Sequence, residues 1–294
     1  MRTLTIAALQ TAPVELDPDA TLERFAEEVH AVRETFSEVQ LVLAPECYLS
    51  AAGHVLREPA GYAERVAVDI PGPLTDRLGA LARETGLWLV PGTVYERDDG
   101  AVRNTAVVLS PDGELVSVYR KCFPWSPYET TRAGTELATF DIPEVGRVGL
   151  AICYDGAFPE IPRQLAWWGA ELMLQPMLTS TADRDGELAI ARATAIVNQM
   201  AVVNLNAASP AGGGRSVIVD GEGVVRYEAG AGEEVLIDVI DFDAVSRARR
   251  HGSYGMNKLW QQWDEHAGSL QLPMYGDLRP RPAGAAATIE EVHS

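Results

Sequence analysis

Residues 147–176, RVGLAICYDGAFPEIPRQLAWWGAELMLQP, pass from an apolar strand through a turn into a helix and out again into a second apolar strand. RVGLAIC and ELMLQP have the length and the nearly unbroken apolar character of buried strands. Gly156 permits a tight turn after the first of them, and a helix is expected from near Pro159 through Trp168. A second helix around Leu188 to Val197, the strand AVVNLN (201–206), two strands flanking Asp220-Gly221 and VLIDVIDF (235–242) continue the series.

The first half of the chain has the same order. Leu4 to Leu9 reads as a strand, after which Asp17-Pro18 supplies an N-cap and a proline at the first helical position. Leu22, Phe25, Val29, Val32 and Phe36 recur at steps of three and four, which places them on one core-facing side of that helix. QLVLA (40–44) is the next strand; Leu74, Leu78 and Leu81 mark a helix that Gly86 ends in the left-handed region. LWLVPGTVYE (87–96), NTAVVLS (104–110) and ELVSVYRK (114–121) carry hairpin signals, the last two joined through Pro111-Asp112-Gly113. Two similar halves of mixed strands and helices predict an α/β fold in which two sheets pack face to face under outer helices, a four-layer α-β-β-α sandwich with internal pseudo-two-fold symmetry. The domain is expected to span residues 1–250. Residues 251–294 form a tail that packs on the domain or on a partner subunit, with RPRPAGAAAT (279–288) expected to be disordered.

Composition narrows the function classes. Hydrophobic residues make up 47% of the 294 and charged residues 22%, so the chain can bury a large core. Acidic residues outnumber basic ones, 42 against 24, and the net charge of −18 opposes binding to nucleic acid or anionic membranes. Cys47, Cys122 and Cys153 make no CxxC pair and no disulfide framework, which suits a reducing compartment. Met1-Arg2-Thr3 leads straight into the alternating LTIAALQ without the apolar region of a signal peptide, and no apolar run approaches the ~18 residues of a membrane span. A cytoplasmic protein is expected.

Three reactive side chains directly follow buried strands: Glu46 after QLVLA, Lys121 after ELVSVYR, and Cys153 at the end of RVGLAIC. Strand ends of a layered α/β fold are where sites are built, because the sheet fixes position while the loops vary. A thiol at such a turn can be exposed beside a backbone N–H able to hold an oxyanion, although free cysteine is also a common core residue. A carboxylate and an ammonium at the other strand ends could take the thiol proton and hold the negative oxygen, or they could form a structural ion pair. From spacing alone these alternatives stay open.

APECYL (44–49), YRKCFPWSPYE (119–129) and GLAICYDGAFPE (149–160) resemble, in the same order and at similar separations, the three signature segments of the nitrilase or carbon-nitrogen hydrolase superfamily. LTDRLGALARETGLWLVPGTVYE (74–96) and RSVIVDGEG (215–223) are also similar to its framework, and the likeness extends from residue 1 to about residue 245. The resemblance implies hydrolysis of a small-molecule amide to acid and ammonia through a Cys153 thioester, without a metal or cofactor, by a homo-oligomer whose subunits meet through the helices after Cys153. It implies Cys153 as nucleophile, Glu46 as general base, Lys121 with the Tyr154 backbone N–H as oxyanion holder, and Glu129 as the group that orients substrate and water. Phe123 stands where many members have histidine. Lys121-x-x-Pro124-Trp125 with Glu129 beyond it, and the sequence CYDG, are similar to the aliphatic amidase and formamidase branch, which adds Trp125 to the expected binding residues. The short or apolar residues after Cys153 suit a small, uncharged acyl group.

The same residues allow nitrilase, omega-amidase or carbamoylase chemistry, or a non-catalytic binding protein that keeps the fold. A Cys-His hydrolase would draw on His30, His54, His251, His266 or His293, of which only His251 is expected near a loop site. No HxxxH spacing indicates a metal hydrolase. AGGGRS (211–216) precedes a strand rather than the helix that a phosphate loop needs, and reads as a turn near the site mouth. Cys47 and Cys122 are expected to face away from the site, because neighbours in an extended segment point to opposite sides.

Overall fold

The computed structural model describes residues 1–53 and 58–270. Its first half runs β1 (Thr3–Gln10), α1 (Pro18–Thr35), β2 (Leu41–Leu43), α2 (Tyr62–Val66), α3 (Pro73–Thr85), β3 (Trp88–Val90), β4 (Thr93–Asp98), β5 (Ala101–Leu109) and β6 (Leu115–Arg120). The second half runs β7 (Thr139–Ile142), β8 (Gly146–Leu150), α4 (Glu160–Trp167), β9 (Leu172–Met177), α5 (Arg184–Asn198), β10 (Ala201–Asn206), β11 (Val217–Val219), β12 (Val225–Glu228) and β13 (Glu234–Asp241), and α6 (Phe242–His251) and α7 (Leu259–His266) follow.

Two βαβαβ units form the centre. β1, β2 and β3 are parallel, as are β8, β9 and β10. Parallel neighbours need a crossover, and α1, α3, α4 and α5 supply it. Asp17 caps α1 by accepting from the Ala20 N–H (3.0 Å), and Gly86 ends α3 in the left-handed region. Antiparallel strands extend each sheet, and β13 returns from the second half to pair with β1 along its whole length.

Side-chain alternation sorts the strands into layers. Leu4, Ile6, Leu41 and Leu43 face Val148, Leu150, Leu172 and Leu174 in the core between the sheets. The opposite side of the first sheet, with Ala7, Val42 and Leu89, packs on Phe25 and Val29 of α1 and Leu78 of α3. Met173 and Val202 of the second sheet likewise meet Leu165 of α4 and Ala195 of α5. The architecture is the expected α-β-β-α sandwich, and it leaves the C-terminal ends of β2 and β9 at one junction between the halves.

β7, α2 and α6 were not legible. β7 and α2 are short, and α6 begins where VLIDVIDF reads as strand, with Asp241 ending β13 and capping α6 through the Ala244 N–H (2.9 Å). α6 crosses residue 250, and α7 packs on its own domain. There Trp260 donates from Nε1 to the Asn198 carbonyl (3.2 Å), with the Arg163 and Arg249 guanidiniums over its ring. The stretch 279–288 lies outside the described residues. Among those described, no helix is long and apolar enough to cross a membrane.

Candidate active site

Glu46 leaves the end of β2 in a turn whose backbone N–H donates to the Met177 carbonyl of β9 (3.3 Å), so the two sheets are joined at this point. Lys121 follows β6 and donates its backbone N–H to the Asn104 carbonyl (2.9 Å). Its Nζ reaches Glu46 Oε1 at 2.8 Å and Glu129 Oε2 at 2.6 Å, with only 2% of the lysine and 5% of Glu46 exposed. Asn104 Nδ2 donates to both carboxylates, at 2.9 Å to Glu46 and 3.0 Å to Glu129. The Trp125 backbone N–H (3.0 Å) and Thr131 Oγ1 (2.9 Å) complete the hold on Glu129.

Cys153 opens a single 3-10 turn, Cys153–Ala157, directly after β8, and its φ of 44° is in the left-handed region. A side chain other than glycine adopts that conformation only when the surroundings enforce it. Here the enforcement is visible. The fully buried Asp155 carboxylate accepts from the Ile152 N–H (3.0 Å), the Phe123 N–H (2.8 Å) and Tyr119 Oη (2.7 Å), tying the cysteine turn to the lysine segment. Gln175 Nε2 donates to the Cys153 carbonyl (2.8 Å) and is itself fixed through Oε1 by Asn204 (3.0 Å). Gly156 is needed for room rather than for its own backbone angle: a Cβ there would lie 2.1 Å from Gln175 Nε2.

Burial and then the nearby Glu46 carboxylate push the Cys153 thiol well above its ordinary range, so it rests protonated. Burial also raises Glu46, against the pull of Lys121. Burial alone would lower Lys121, but Glu46 and Glu129 outweigh it and keep the ammonium charged. Glu129 is held below its usual value because Lys121, the Trp125 N–H and Asn104 together overcome its burial. In such an arrangement the Glu46 carboxylate can accept the thiol proton, and the fixed ammonium can meet negative charge that develops beside it.

These groups line one cleft of about 570 Å³, counting its open mouth. Trp125 and Tyr154 form part of the wall, Tyr154 standing edge-on to Phe158. Residues 5–250 match the carbon-nitrogen hydrolase family.

The chain belongs to that family. This carbon-nitrogen hydrolase is 31% identical over 237 residues to Omega-amidase NIT2 of Homo sapiens, the match covering 74% of this chain and 83% of the relative. It is 29% identical over 194 residues to a formamidase of Bacillus cereus, covering 65% of this chain and 57% of the relative. Among solved structures, Nit3 of Saccharomyces cerevisiae, a member of branch 10 of the nitrilase superfamily, superposes with a TM-score of 0.72 at 26% identity, over 85% of this chain and 94% of that one.

One expectation about this hydrolase needs correction. Cys47 does not face away: it lines the cleft, because its φ of 53° ends the extended segment on which strict alternation depends. Its thiol is pushed well up by burial and by Glu46, and its backbone N–H is fixed by Thr93 Oγ1 (2.7 Å). Cys122 is partly buried and packs against the core, away from the cleft lining. Glu58, Asp183 and Glu187 join the cleft wall from distant segments. Thr179 Oγ1 lies 3.9 Å from Cys153 Sγ and 2.9 Å from Glu187 Oε1.

The AGGGRS turn backs this wall, with the Gly213 N–H donating to the Thr179 carbonyl (2.6 Å). None of the described histidines lines the cleft, and His251 ends α6; His54 and His293 lie outside the described residues. Among described residues no group of three His, Cys, Asp or Glu side chains is arranged to hold a metal ion. Sequence reading missed Asn104, Asp155 and Thr179. The one available signal was a buried polar residue within or beside an otherwise apolar strand.

Proposed function

We propose that the chain hydrolyses a small carboxamide to its carboxylic acid and ammonia through a thioester on Cys153. The observation that carries this reading is the buried Lys121 ammonium clamped between Glu46 and Glu129 in the cleft that Cys153 lines. Glu46 accepts the thiol proton as Sγ bonds to the amide carbon, and the oxyanion is met by Lys121 Nζ and the Tyr154 backbone N–H. The carbonyl re-forms, the C–N bond breaks, and the nitrogen leaves as ammonia with the proton from Glu46. Glu46 next takes a proton from water as its oxygen attacks the thioester. The C–S bond breaks, the acid departs, and the thiolate recovers its proton from Glu46. Glu129 keeps Lys121 in place and, with Trp125, faces the substrate and the attacking water.

The test is intact-mass spectrometry of the protein quenched during turnover of formamide, acetamide, propionamide and butyramide, with ammonia measured in parallel. An acyl adduct on the peptide containing Cys153 is expected, together with ammonia release. An adduct on another residue, or none with any amide or nitrile, counts against the proposal. Omega-amidase activity is the second reading, favoured by the identity to Omega-amidase NIT2. The same measurement extended to omega-amides separates the two.

Assembly is proposed on separate grounds. Trp167 is 61% and Trp168 41% exposed on and just after α4, and Ile190, Ile196 and Val197 are exposed on α5. Large apolar groups concentrated on two helices fit a contact with a second copy of this chain. Light scattering after size exclusion is expected to give a dimer or larger, and Trp167→Glu to shift it towards monomer. A monomeric native protein at micromolar concentration would refute this contact.

A further inference from the structure

The reaction uses two of the carboxylates in the cleft, and the wall holds three more. Glu46 and Glu129 share Lys121. Glu187 is partnered by Arg184 (3.1 Å), which stands behind the wall, and by Thr179 Oγ1. Asp183 is exposed at the rim and accepts from Thr181 Oγ1. Glu58 is half-buried beside Tyr95, whose Oη donates to its Oε1 (2.7 Å); among the described residues neither Glu58 nor Asp183 forms an ion pair with a lysine, arginine or histidine. Among the described residues the lining therefore carries five carboxylates, Glu46, Glu58, Glu129, Asp183 and Glu187, against the ammonium of Lys121, with Arg184 behind the wall partnering Glu187.

That imbalance has a direct consequence for what can bind. A half-buried carboxylate is screened less by salt than a surface one, so its field persists inside the cleft. A ligand carboxylate would add a further negative charge to walls already in excess of it. Among the described residues, a neutral ligand leaves Glu58 without a cationic partner, held by the hydrogen bond from Tyr95. A ligand cation supplies the missing partner and also offsets the negative surroundings of Cys153, which include Glu46 and Glu187.

We propose that the cleft takes carboxamides bearing a second, positively charged group, an ammonium or guanidinium remote from the amide, and that Glu58 is the specificity-determining residue that receives it. This rests on the amidase reading of the same site and deepens it from reaction to substrate class. The reacting amide lies against Cys153, Lys121 and Glu129, and the charged end is directed to the wall formed by Glu58 and Tyr95, with Asp183 adding to the attraction at the rim.

The experiment compares kcat/KM of the full-length protein for three amides of similar length: 4-aminobutanamide (cationic), pentanamide (neutral) and succinamate (anionic). The expected order is cationic above neutral above anionic, with about ten- to a hundredfold between the first two, the range set by one charge-assisted hydrogen bond. In Glu58→Gln the cationic-to-neutral ratio is expected to fall by about tenfold, and Glu58→Asp to retain part of it. The ratio is taken within one protein sample, so a reduced fraction of folded enzyme cancels. If Glu58→Gln does not fold, the wild-type order and a smaller fall in the ratio for Asp183→Asn still decide. Preference for succinamate or pentanamide, or a ratio unmoved by Glu58→Gln, overturns the proposal while leaving the amidase reading intact. Failure of all three amides, with no adduct on Cys153, removes the amidase reading itself.

Discussion

Replacing Cys153 with alanine is expected to lower turnover by roughly 10⁴- to 10⁶-fold, the scale seen when a covalent nucleophile is removed from an otherwise intact site. The fold should survive. The turn is fixed by Asp155 and by the Gln175 bond to the Cys153 carbonyl, and neither contact involves sulfur. Alanine removes one buried atom and leaves the Lys121 clamp untouched, so the melting temperature should stay within a few degrees of the native protein. Ammonia release, thermal melting and amide binding by calorimetry together check this: binding and stability kept, turnover lost. Cys122→Ala, partly buried against the core and outside the cleft lining, is the control and should remain active. Residual turnover above a few per cent in Cys153→Ala would show that the reaction does not pass through this sulfur.

Lys121→Met should have the second large effect, and it combines chemistry with stability. Loss of one fixed oxyanion donor raises the barrier by about 2.7–4 kcal/mol, or roughly 10²- to 10³-fold in kcat. Removing the cation also leaves Glu46 and Glu129 buried and facing each other, and breaking a buried pair in this way costs about 3–5 kcal/mol of stability. The pH dependence distinguishes the two effects. In the native protein Glu129 is depressed, so its contribution is present above its unfolded pKa and is lost as pH falls through the folded value. Without Lys121, burial and mutual repulsion raise both carboxyls above their unfolded values. The folded variant then binds more protons than the unfolded chain, and its stability falls as pH rises through that window. Lys121→Met is therefore expected to melt higher at pH 5 than at pH 8, with low activity at both. A variant as stable as the native protein at pH 8, or one that keeps a tenth of its turnover, would contradict the clamp.

Both outcomes depend on features that differ in how far the chain order reveals them. The apolar runs around Leu41–Leu43, Leu115–Arg120 and Gly146–Leu150 are visible as strands, and a reactive group after each is visible too. The crossover helices follow from caps such as Asp17 and Gly86 and from apolar positions at steps of three and four. Local rules cover these cases because the signal lies within a dozen residues. They fail for α6, whose first turn overlaps the end of β13, and for Cys47, whose left-handed backbone breaks the alternation used to place it.

The amino-acid order on its own determined the layered architecture and which side chains follow the strands, since burial periodicity and capping are written into neighbouring positions. Only the tertiary structure decided what surrounds Cys153. Asn104 bridging two carboxylates, Asp155 locking the cysteine turn, and Glu58 and Glu187 entering the wall each join segments remote in the chain. The physical reason is that charge balance and side-chain direction in a cleft depend on the packing of the two halves against each other, a distance that no local periodicity encodes.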